Sequence, residues 1–408
     1  MADLSGVHMV IVPAWWPSPE QPTAGIFFPD YARRFADAGA RVGVIYPNLV
    51  SLRYFASKPR PPLLPRVERE FVREDIPVVR VRGLHTALRR PSLQMKRFRS
   101  WLARGLDAYR SLHGEPNVLH AMCSIPSGWA CATLNDPLAR HVLVTELFGP
   151  FSAQMTARAG ASFVREALAT AAAVVTVSER SRRDMREAGI DGRIDVIGMP
   201  VGVEFLDAPI ARSHHNGPVR GLFVGRLTEA KGVSELALAA SALSAMHECE
   251  WRFIGVGPMG PELRLQFELV NRSDRLQLLG EQSRNRIVEE MLAADFFVLP
   301  SHGETFGMAV AEALCMGLPV VTTRGTACQE FIIERNGLLA DRGSVESLQG
   351  ALEIMLHRAR GYDRDDIATA ARDRFARHNL ASQYQPFLRG VAAGPVRKVN
   401  SSGSPFPA

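Results

Sequence analysis

The sequence predicts an α/β protein of two domains, each a doubly wound, Rossmann-like sheet with helices on both faces. Three observations support this prediction. The chain has 408 residues, more than a single hydrophobic core ordinarily holds. Short β-branched runs alternate with helical patterns from one end to the other, which is typical of parallel sheets with crossover helices. The alternation is interrupted at residues 199–220, where Gly, Pro and polar residues replace the periodic pattern.

Seven apolar runs predict the strands of the first domain. In chain order they are residues 8–14, 40–47, 76–82, 116–122, 140–146, 172–178 and 193–198. The stretch 30–39, between the first two runs, has apolar residues at helical spacing and therefore predicts an amphipathic helix. Residues 52–76 are polar and rich in proline, so we expect a long surface excursion there.

Six further runs predict the strands of a second domain. They are residues 219–225, 250–257, 274–280, 295–301, 318–323 and 337–341. We assign residues 1–205 to the first domain and 206–378 to the second. A helix over 379–393 is expected to pack back toward the first domain, and the Gly-, Ser- and Pro-rich residues 394–408 are expected to be disordered. Two such domains face a central cleft at the carboxyl ends of their strands, where open α/β sheets bind ligands.

The composition is that of a soluble globular protein, with 46% hydrophobic and 22% charged residues. The five cysteines form no CxxC pair and no metal-ligand spacing with His, which favours a reducing compartment. The first residues lack the basic start and long apolar stretch of a secretory signal. The most apolar long stretch, 305–323, contains Glu312 and a Gly-Leu-Pro break, which argues against a membrane span. We therefore expect a cytoplasmic protein.

The net charge of +6 is concentrated in residues 53–110, which hold 15 Lys and Arg against 5 Asp and Glu. Residues 95–110 predict a basic helix with interleaved Phe98, Trp101 and Leu102. Such a helix can lie on an anionic membrane surface. The alternative is a helix with its charges in water and its apolar side on the core. Because no nucleic-acid-binding motif accompanies the charge, we do not expect nucleic acid as a partner.

Two glutamates interrupt an otherwise apolar stretch at residues 302–321. Glu304 follows a predicted strand and precedes a helix predicted over 305–316, with Gly307 in its first turn. Free N–H groups and the helix dipole at such a turn favour phosphate. Glu312 lies further along the helix, so two carboxylates that accept hydrogen bonds from hydroxyls flank a phosphate site. The alternative is that Glu304 caps the helix and Glu312 pairs with a nearby Arg.

A second candidate loop, at residues 222–233, carries two cations. A strand ends at Gly225, and Arg226 and Lys231 then bracket a tight turn before a helix that begins at Gly232. Two cations at the carboxyl end of a strand can hold a pyrophosphate and stabilise a departing nucleoside diphosphate without a metal. The alternative is an ordinary surface Arg and Lys beside a turn.

These motifs, in this order, resemble a known family. Residues 225–233 (GRLTEAKGV), 254–258 (IGVGP), 278–301 and the Glu-x7-Glu pair resemble the retaining nucleotide-sugar glycosyltransferases of family 4, which have the GT-B fold. The resemblance is highly specific over the second domain. It is looser in the first domain, where residues 15–47 and 196–205 are similar to the opening loop and the interdomain segment of that family.

The resemblance implies that the first domain, residues 1–205, binds the acceptor and that the second, residues 206–378, binds the nucleotide-sugar donor. It also implies a role for each matched residue. Arg226 and Lys231 would bind the donor phosphates, Glu304 the hydroxyls of the donor sugar, and Glu312 the ribose. Backbone N–H groups would come from Phe306 and Gly307. Gly25, in the loop after the first strand, would let the backbone approach the donor, or it is an ordinary loop glycine.

One position departs from the family pattern. Many members carry a histidine in the loop after the strand at 140–146, where this sequence has Leu147. Glu146 and His120 are the nearest polar candidates at this rim of the cleft, and His120 is equally compatible with a buried structural role. The departure bears on catalytic efficiency, and on whether the protein is active at all.

The function that the resemblance implies is transfer of a sugar, with retention of configuration, from a UDP- or GDP-linked donor to a glycan or lipid-linked glycan. Bacterial cell-surface polysaccharide biosynthesis is the expected setting. No cofactor and no metal are expected, and residues 53–110 suggest peripheral contact with the inner face of an anionic plasma membrane. Two alternatives stay open: a nucleotide-sugar epimerase of the GT-B type, and a catalytically silent nucleotide-sugar-binding partner of another transferase.

Overall fold

The computed structural model describes residues 2–18, 24–51, 62–85, 90–156, 158–210 and 217–393. The chain forms two α/β units, one around a sheet of eight strands and one around a sheet of six. We call them the first and second domains. The tail 394–408, for which the sequence predicts disorder, lies outside the described residues. Among the helices of the described ranges, none combines the length and the apolar character needed to cross a bilayer.

The first domain contains strands β1 to β8 in the spatial order β3-β4-β2-β1-β5-β6-β7-β8. Their bounds are β1 His8–Pro13, β2 Arg41–Ser51, β3 Arg66–Arg73, β4 Ile76–His85, β5 Val118–Met122, β6 Val142–Glu146, β7 Ala173–Thr176 and β8 Asp195–Val196. All neighbouring pairs run parallel except β3 and β4. The central strands β1, β5 and β6 are almost wholly buried, which explains their continuous apolar runs.

Strand β3 differs from the prediction, which assigned residues 52–76 to a surface excursion. Residues 66–73 instead form an antiparallel edge strand on β4. The strand consists mostly of charged residues and has no buried face. Its sequence therefore contains neither an apolar run nor an alternation of apolar and polar residues that would predict a strand. Charged side chains protect such an edge from pairing with another chain. Glu70, for example, lies 2.9 Å from Arg80 of β4.

The second domain contains strands β9 to β14 in the order β11-β10-β9-β12-β13-β14, all parallel. Their bounds are β9 Val219–Val224, β10 Cys249–Ile254, β11 Leu276–Gly280, β12 Phe296–Leu299, β13 Val320–Thr323 and β14 Gly337–Ala340. All six were predicted from the sequence. Their buried Phe, Val and Leu side chains pack against helices on both faces.

Fourteen α-helices lie between and after these strands in the part of the chain that the structure describes. Their bounds are α1 Phe28–Asp37, α2 Pro91–His113, α3 Trp129–Ala132, α4 Phe151–Thr156, α5 Arg158–Thr170, α6 Glu179–Glu187, α7 Val203–Leu206, α8 Val233–Met246, α9 Gly260–Leu269, α10 Arg284–Ala293, α11 Met308–Cys315, α12 Val345–Arg358, α13 Arg364–Arg374 and α14 Arg377–Ala392. The basic helix predicted over 95–110 is part of α2. Its Phe98 and Trp101 are buried, so its apolar side packs on the core.

The strand orders locate the ligand-binding edges of the two sheets. In the second domain the chain moves from β9 to β10 on one side and later to β12 on the other. In the first domain β1 has the corresponding place between β2 and β5. Ligands of open α/β sheets bind at such switch points, beyond the carboxyl ends of the strands. The loops that follow β9, β12, β1 and β5 are therefore where a site is expected.

The two domains touch directly through short polar contacts. Ser178 Oγ donates to the Thr305 carbonyl at 2.6 Å, and Thr305 Oγ1 donates to the Leu147 carbonyl at 3.1 Å. Helix α14 returns from the second domain to the first. Its Tyr384 hydroxyl lies 2.9 Å from Thr145 Oγ1, and its Val391 carbonyl lies 2.7 Å from His141 Nδ1. These contacts hold the strand ends of one sheet opposite those of the other.

Candidate active site

The loop that carries Arg226 and Lys231 is held by backbone contacts that exclude side chains. Gly232 follows a 3₁₀ turn, Glu229–Lys231, and adopts φ +68° just before α8. A Cβ on Gly232 would overlap the Pro300 carbonyl, which belongs to the loop after β12. The His302 N–H also donates to the Ala230 carbonyl at 3.0 Å. The loops after β9 and β12 are therefore joined backbone to backbone, and Lys231 is fixed by its neighbours.

Replacing Gly232 with Ala is expected to reduce stability by about 1–3 kcal/mol, because the new methyl group must displace Pro300 and the left-handed backbone is strained. Urea denaturation measures the free energy of unfolding. Gly260→Ala is the matched control, since a Cβ there meets its nearest atom at 3.8 Å and φ is ordinary. Equal stability of the two variants would show that the loop contact is looser than described.

The Lys231 ammonium and the Glu304 carboxylate form an ion pair between the loops after β9 and β12. Ser301 Oγ donates a further hydrogen bond to Glu304 Oε1 at 2.8 Å. The two side chains keep 23% and 13% of their surface exposed, so both are accessible from the cleft. Two residues that are 73 positions apart in the sequence thus meet at the switch point.

Arg226 lies on the same loop with its side chain in solvent. Within the described ranges its guanidinium forms no hydrogen bond and no ion pair. All the N–H donors of Arg226 are therefore available to a ligand. Lys231, by contrast, must break its ion pair with Glu304 before it can bind one. A guanidinium presents a planar set of donors that matches the oxygens of a phosphate.

Helix α11 begins three residues later than predicted. Its first residue is Met308, and Gly307 stands before the first turn with φ +91°. The prediction of a helix from Thr305 was wrong because this left-handed residue turns the chain into the helix. A Cβ on Gly307 would overlap Cys328 Sγ, so the turn is packed tightly against the buried Cys328 side chain. The Val310 and Ala311 N–H groups both donate to the Gly307 carbonyl, at 3.0 Å and 3.1 Å, which leaves the N–H groups of Met308 and Ala309 without an intrahelical acceptor.

Phe306 anchors this turn to the interior. Its ring is buried and packs at 5.0 Å from the ring of Phe331 and at 5.9 Å from that of Phe375. The side chain is therefore unavailable to a ligand, and only the backbone of Phe306 can contribute at the helix start.

Glu312 lies on the buried side of α11 and is 9% exposed. Burial raises the pKa of its carboxyl to about 8, against the opposing effect of the nearby Arg284 cation. Arg284 Nη1 lies 2.9 Å from Asp30 Oδ2 of α1 and 3.5 Å from Glu204 Oε2 of α7. Three carboxyl groups from three helices, those of Asp30, Glu204 and Glu312, thus lie near one arginine. The sequence indicated an Arg near Glu312 only as an alternative, and it gave no indication of Asp30 or Glu204.

The pKa of Glu312 predicts how stability depends on pH. The usual pKa of this carboxyl is 4.5, and its pKa in the folded protein is about 8. Between these two pH values the folded protein retains the proton, whereas the unfolded chain releases it. Stability must therefore fall as the pH rises through this range. Glu312→Gln cannot titrate, so its free energy of unfolding relative to the wild type should increase from about pH 5 to about pH 8.

Urea denaturation at several pH values measures this difference. Glu346→Gln, at an exposed position in the first turn of α12, is the control and should follow the wild type. Parallel stability curves for Glu312→Gln and wild type would contradict the pKa shift.

Gly25 belongs to the turn before α1, and its carbonyl accepts a hydrogen bond from the Phe28 N–H at 2.9 Å. A Cβ at this position would lie 2.6 Å from the Phe28 ring and 2.8 Å from Trp15. This packing alone requires glycine. The approach of its backbone to a donor remains a prediction.

His120 was predicted as a rim candidate, and the structure contradicts this. Its side chain is fully buried in the first domain, with Nε2 2.7 Å from Thr145 Oγ1. The rings of Phe35 and Tyr384 pack at 5.6 Å and 5.3 Å. Burial lowers its pKa to about 3, so the imidazole is neutral near pH 7. His120 is the buried structural histidine that the sequence left as the alternative.

Glu146 is likewise buried rather than exposed at the rim. Its carboxylate accepts hydrogen bonds from the N–H of Ser124 at 2.9 Å, the N–H of Phe148 at 2.7 Å and the Gln154 amide at 3.3 Å. Burial raises its pKa, opposed by these donors. Glu146 therefore holds the loop after β6 and the start of α4 in place through buried hydrogen bonds. Leu147, at the position of the family histidine, turns its side chain into the core while its carbonyl bonds to Thr305.

No cluster of three or more His, Cys, Asp or Glu side chains suited to a metal ion occurs among the described residues. Among the described residues, the charged side chains at the switch point are Arg226, Lys231 and Glu304, beside the start of α11. Arg226, Lys231, Glu304 and Gly307 lie on two loops that meet at the switch point of the second sheet, and Glu312 lies in the middle of α11.

Two facing α/β domains, each with a mostly or wholly parallel sheet, form the architecture of the GT-B fold. The family model for glycosyl transferases group 1 matches residues 211–374, and that for the glycosyl transferase 4-like domain matches residues 23–200. Together these ranges cover most of the chain. The protein belongs to this glycosyltransferase family.

Curated relatives are matched over unequal shares of their own length. The putative teichuronic acid biosynthesis glycosyltransferase TuaC of Bacillus subtilis is 23% identical over 84% of this chain and 87% of its own. The uncharacterized glycosyltransferase MJ1178 of Methanocaldococcus jannaschii is 26% identical over 57% and 63%. The amylovoran biosynthesis glycosyltransferase AmsK of Erwinia amylovora is 32% identical over 39% and 41%.

Solved structures share the fold over nearly the whole chain. Sucrose-phosphate synthase from Thermosynechococcus elongatus superposes with a TM-score of 0.72 at 19% identity, covering 95% of this chain and 99% of that one. HepE from Anabaena, solved with UDP and glucose, gives 0.68 at 17% identity, covering 94% and 100%. At these identities the similarity establishes the architecture of two facing domains.

Proposed function

We propose that the protein transfers a sugar from a nucleotide diphosphate sugar to a hydroxyl of a glycan or lipid-linked glycan, with retention at the anomeric carbon. The observation that carries the proposal is the meeting of Lys231 and Glu304 at the switch point, beside Arg226 and the start of α11. A pyrophosphate needs cations and N–H groups, and a sugar needs carboxylates. Both sets are present within two adjoining loops.

In the proposed mechanism the donor pyrophosphate lies across the start of α11. It replaces Glu304 as the ion-pair partner of Lys231. The released Glu304 carboxylate then accepts hydrogen bonds from hydroxyls of the donor sugar. Arg226 and Lys231 stabilise the negative charge that grows on the departing phosphate. Glu312, in the middle of α11, accepts a hydrogen bond from the ribose.

Retention follows if the acceptor hydroxyl attacks the anomeric carbon from the face that the phosphate leaves. The bond from the anomeric carbon to the phosphate oxygen breaks, and a bond to the acceptor oxygen forms. The proton of the acceptor hydroxyl passes to the departing phosphate oxygen. No side chain has to act as a base in this scheme, so Leu147 in place of the family histidine is compatible with turnover, and no metal is required.

The names of the relatives guide the choice of substrates. Two of them are assigned to the biosynthesis of the polysaccharides teichuronic acid and amylovoran, and HepE was solved with UDP. These names support a role in bacterial cell-surface polysaccharide biosynthesis with a UDP-linked donor, and a GDP-linked donor stays the alternative expected from the sequence.

Release of nucleoside diphosphate from a panel of UDP- and GDP-sugars tests the proposal, with and without an acceptor and in the presence of EDTA. We expect release that depends on acceptor and persists with EDTA. Conversion of the sugar with donor alone would indicate an epimerase instead. Tight nucleotide binding without turnover over many acceptors would indicate a silent partner, the rival motivated by Leu147.

Peripheral contact with an anionic membrane is a further part of the proposal. Residues 53–110 hold the excess of positive charge. Leu63 and Leu64, within this region, are 70% and 79% exposed, and Phe71 of β3 is also exposed. Exposed apolar side chains among cations are typical of surfaces that bind anionic lipids. The buried apolar side of α2 does not take part.

Flotation with anionic liposomes tests this contact. We expect binding at low salt that weakens at high salt, because the charges are screened. A variant with Leu63→Ser and Leu64→Ser should bind less at both salt concentrations. Absence of flotation at low salt would instead support a soluble acceptor.

A further inference from the structure

A cavity of about 740 Å³ lies in the first domain, at the carboxyl edge of its sheet. Its walls come from the loops after β1, β5 and β6, from β2, and from helices α2, α4 and α5. The volume falls within the usual range for small-molecule sites, about 300–1,000 Å³. None of the residues assigned above to the donor lines it.

The lining of this cavity is mostly apolar. The large side chains that define it are Trp15, Tyr46, Met95, Phe98, Phe148 and Phe163. Phe98 and Met95 are buried on α2, while Phe148 is partly exposed at the edge. Ligand sites of this kind bury an apolar group and orient it through a few polar atoms.

Gln154 supplies a polar atom of this type. Its side chain lines the cavity and is 6% exposed. The amide nitrogen donates to Glu146 Oε1 at 3.3 Å, which fixes the orientation of the amide. The amide oxygen is buried and has no hydrogen-bond partner among the residues that the structure describes. Unsatisfied buried acceptors are rare in native proteins and call for an explanation.

The cavity lies next to the donor loops. Phe148 lines it, and the carbonyl of the preceding residue, Leu147, accepts the hydrogen bond from Thr305 Oγ1 at 3.1 Å. Thr305 in turn follows Glu304 in the chain. A molecule in the cavity would therefore end close to the sugar that Glu304 is proposed to hold.

We infer that this cavity binds the apolar chain of an amphiphilic acceptor, a sugar joined to a hydrocarbon chain, and that Gln154 Oε1 accepts a hydrogen bond from its polar head. The inference rests on the proposed function and selects the lipid-linked class among the acceptors named there. The inference also assigns a role to Glu146. Its carboxylate accepts the hydrogen bond from the Gln154 amide nitrogen and so orients the amide, while Gln154 Oε1 stays available to a ligand.

Binding of methyl, hexyl and octyl glucosides, below the concentrations at which they form micelles, tests the inference by calorimetry. In the wild type the affinity should rise about fourfold for each added CH₂ group that is buried. Methyl glucoside should bind weakly. Equal affinity for all three glucosides, or no binding of any, would overturn the inference; the latter is also the result expected if neighbouring residues of this chain fill the cavity.

Ala153→Trp is the decisive variant, because Ala153 is exposed, lies on α4 and lines the cavity. The added indole should fill the space and abolish the dependence on chain length without disturbing the core. Ser152→Trp is the matched control: Ser152 is the exposed neighbour on α4 and does not line the cavity. Retained chain-length dependence in Ala153→Trp would contradict the inference.

Gln154→Met tests the polar contact separately. It should weaken every glucoside by about the same factor, roughly fivefold to tenfold, and leave the chain-length dependence intact. An unchanged affinity would remove Gln154 from the site.

Nucleoside diphosphate binding, measured on the same samples, separates this inference from the proposed function. Wild-type protein that binds nucleotide but no alkyl glucoside disproves the acceptor cavity alone. Protein that binds alkyl glucosides but no nucleotide disproves the proposed function and leaves only an apolar binding site.

Discussion

Replacing Lys231 with Ala is expected to slow sugar transfer by about 10²–10³-fold, because one of two cations that stabilise the departing phosphate is lost. The effect should appear in kcat, since the charge on the phosphate is greatest in the transition state. Steady-state kinetics with the preferred donor measures it. Of the two cations, Lys231 is the one fixed by packing, through Gly232 and Pro300, so a neighbouring side chain cannot readily replace it.

Loss of Lys231 also leaves Glu304 without its ion-pair partner, which could lower activity through misfolding. The double variant Lys231→Ala, Glu304→Ala removes the unpaired carboxylate and should recover stability but not activity. Arg335→Ala, an exposed cation paired with Asp366 at 3.4 Å on the outside of the second domain, is the control for charge and should retain activity. Undiminished transfer by Lys231→Ala would remove this lysine from the mechanism.

Replacing Glu304 with Ala is expected to separate sugar binding from phosphate binding. Hydrogen bonds to a charged group contribute about 1.5–3 kcal/mol, so kcat/KM for the nucleotide sugar should fall by about 10- to 150-fold. The nucleoside diphosphate, which lacks the sugar, should bind as well as or better than to the wild type, since Lys231 is freed from its ion pair.

Calorimetry with nucleoside diphosphate and kinetics with nucleotide sugar measure the two halves of this prediction. Glu346→Ala, on the exposed face of α12, should change neither. If nucleoside diphosphate and nucleotide sugar lose affinity together in Glu304→Ala, the glutamate serves the phosphate site or the fold rather than the sugar.

Most of the fold could be predicted because most of its strands are apolar and largely buried. Thirteen of the fourteen strands coincide with apolar runs, whereas β3 has no buried face and its charged residues gave no period-two pattern. The start of α11 was missed for a local reason. Gly307 stands in a stretch that the sequence predicts as helix, but its backbone is left-handed. The sequence does not show this conformation, and in the structure Gly307 packs directly against Cys328.

The site was predictable only where loop position determines it. Lys231 and Glu304 follow strands that turn out to be neighbours, so their contact follows from the sheet order. The contact of Arg284 with Asp30 joins the two domains, and no spacing in the sequence indicates it. His120 and Glu146 lie on strands, where sequence alone does not decide whether a polar side chain faces the cleft or the core.

A crystal structure with bound nucleoside diphosphate, UDP or GDP as the panel selects, tests the central claim most directly. The account predicts phosphate oxygens within about 3 Å of Lys231 Nζ and of the Arg226 guanidinium, and ribose hydroxyls at a similar distance from Glu312. A nucleotide bound elsewhere, with Lys231 and Glu304 still paired to each other, would contradict it.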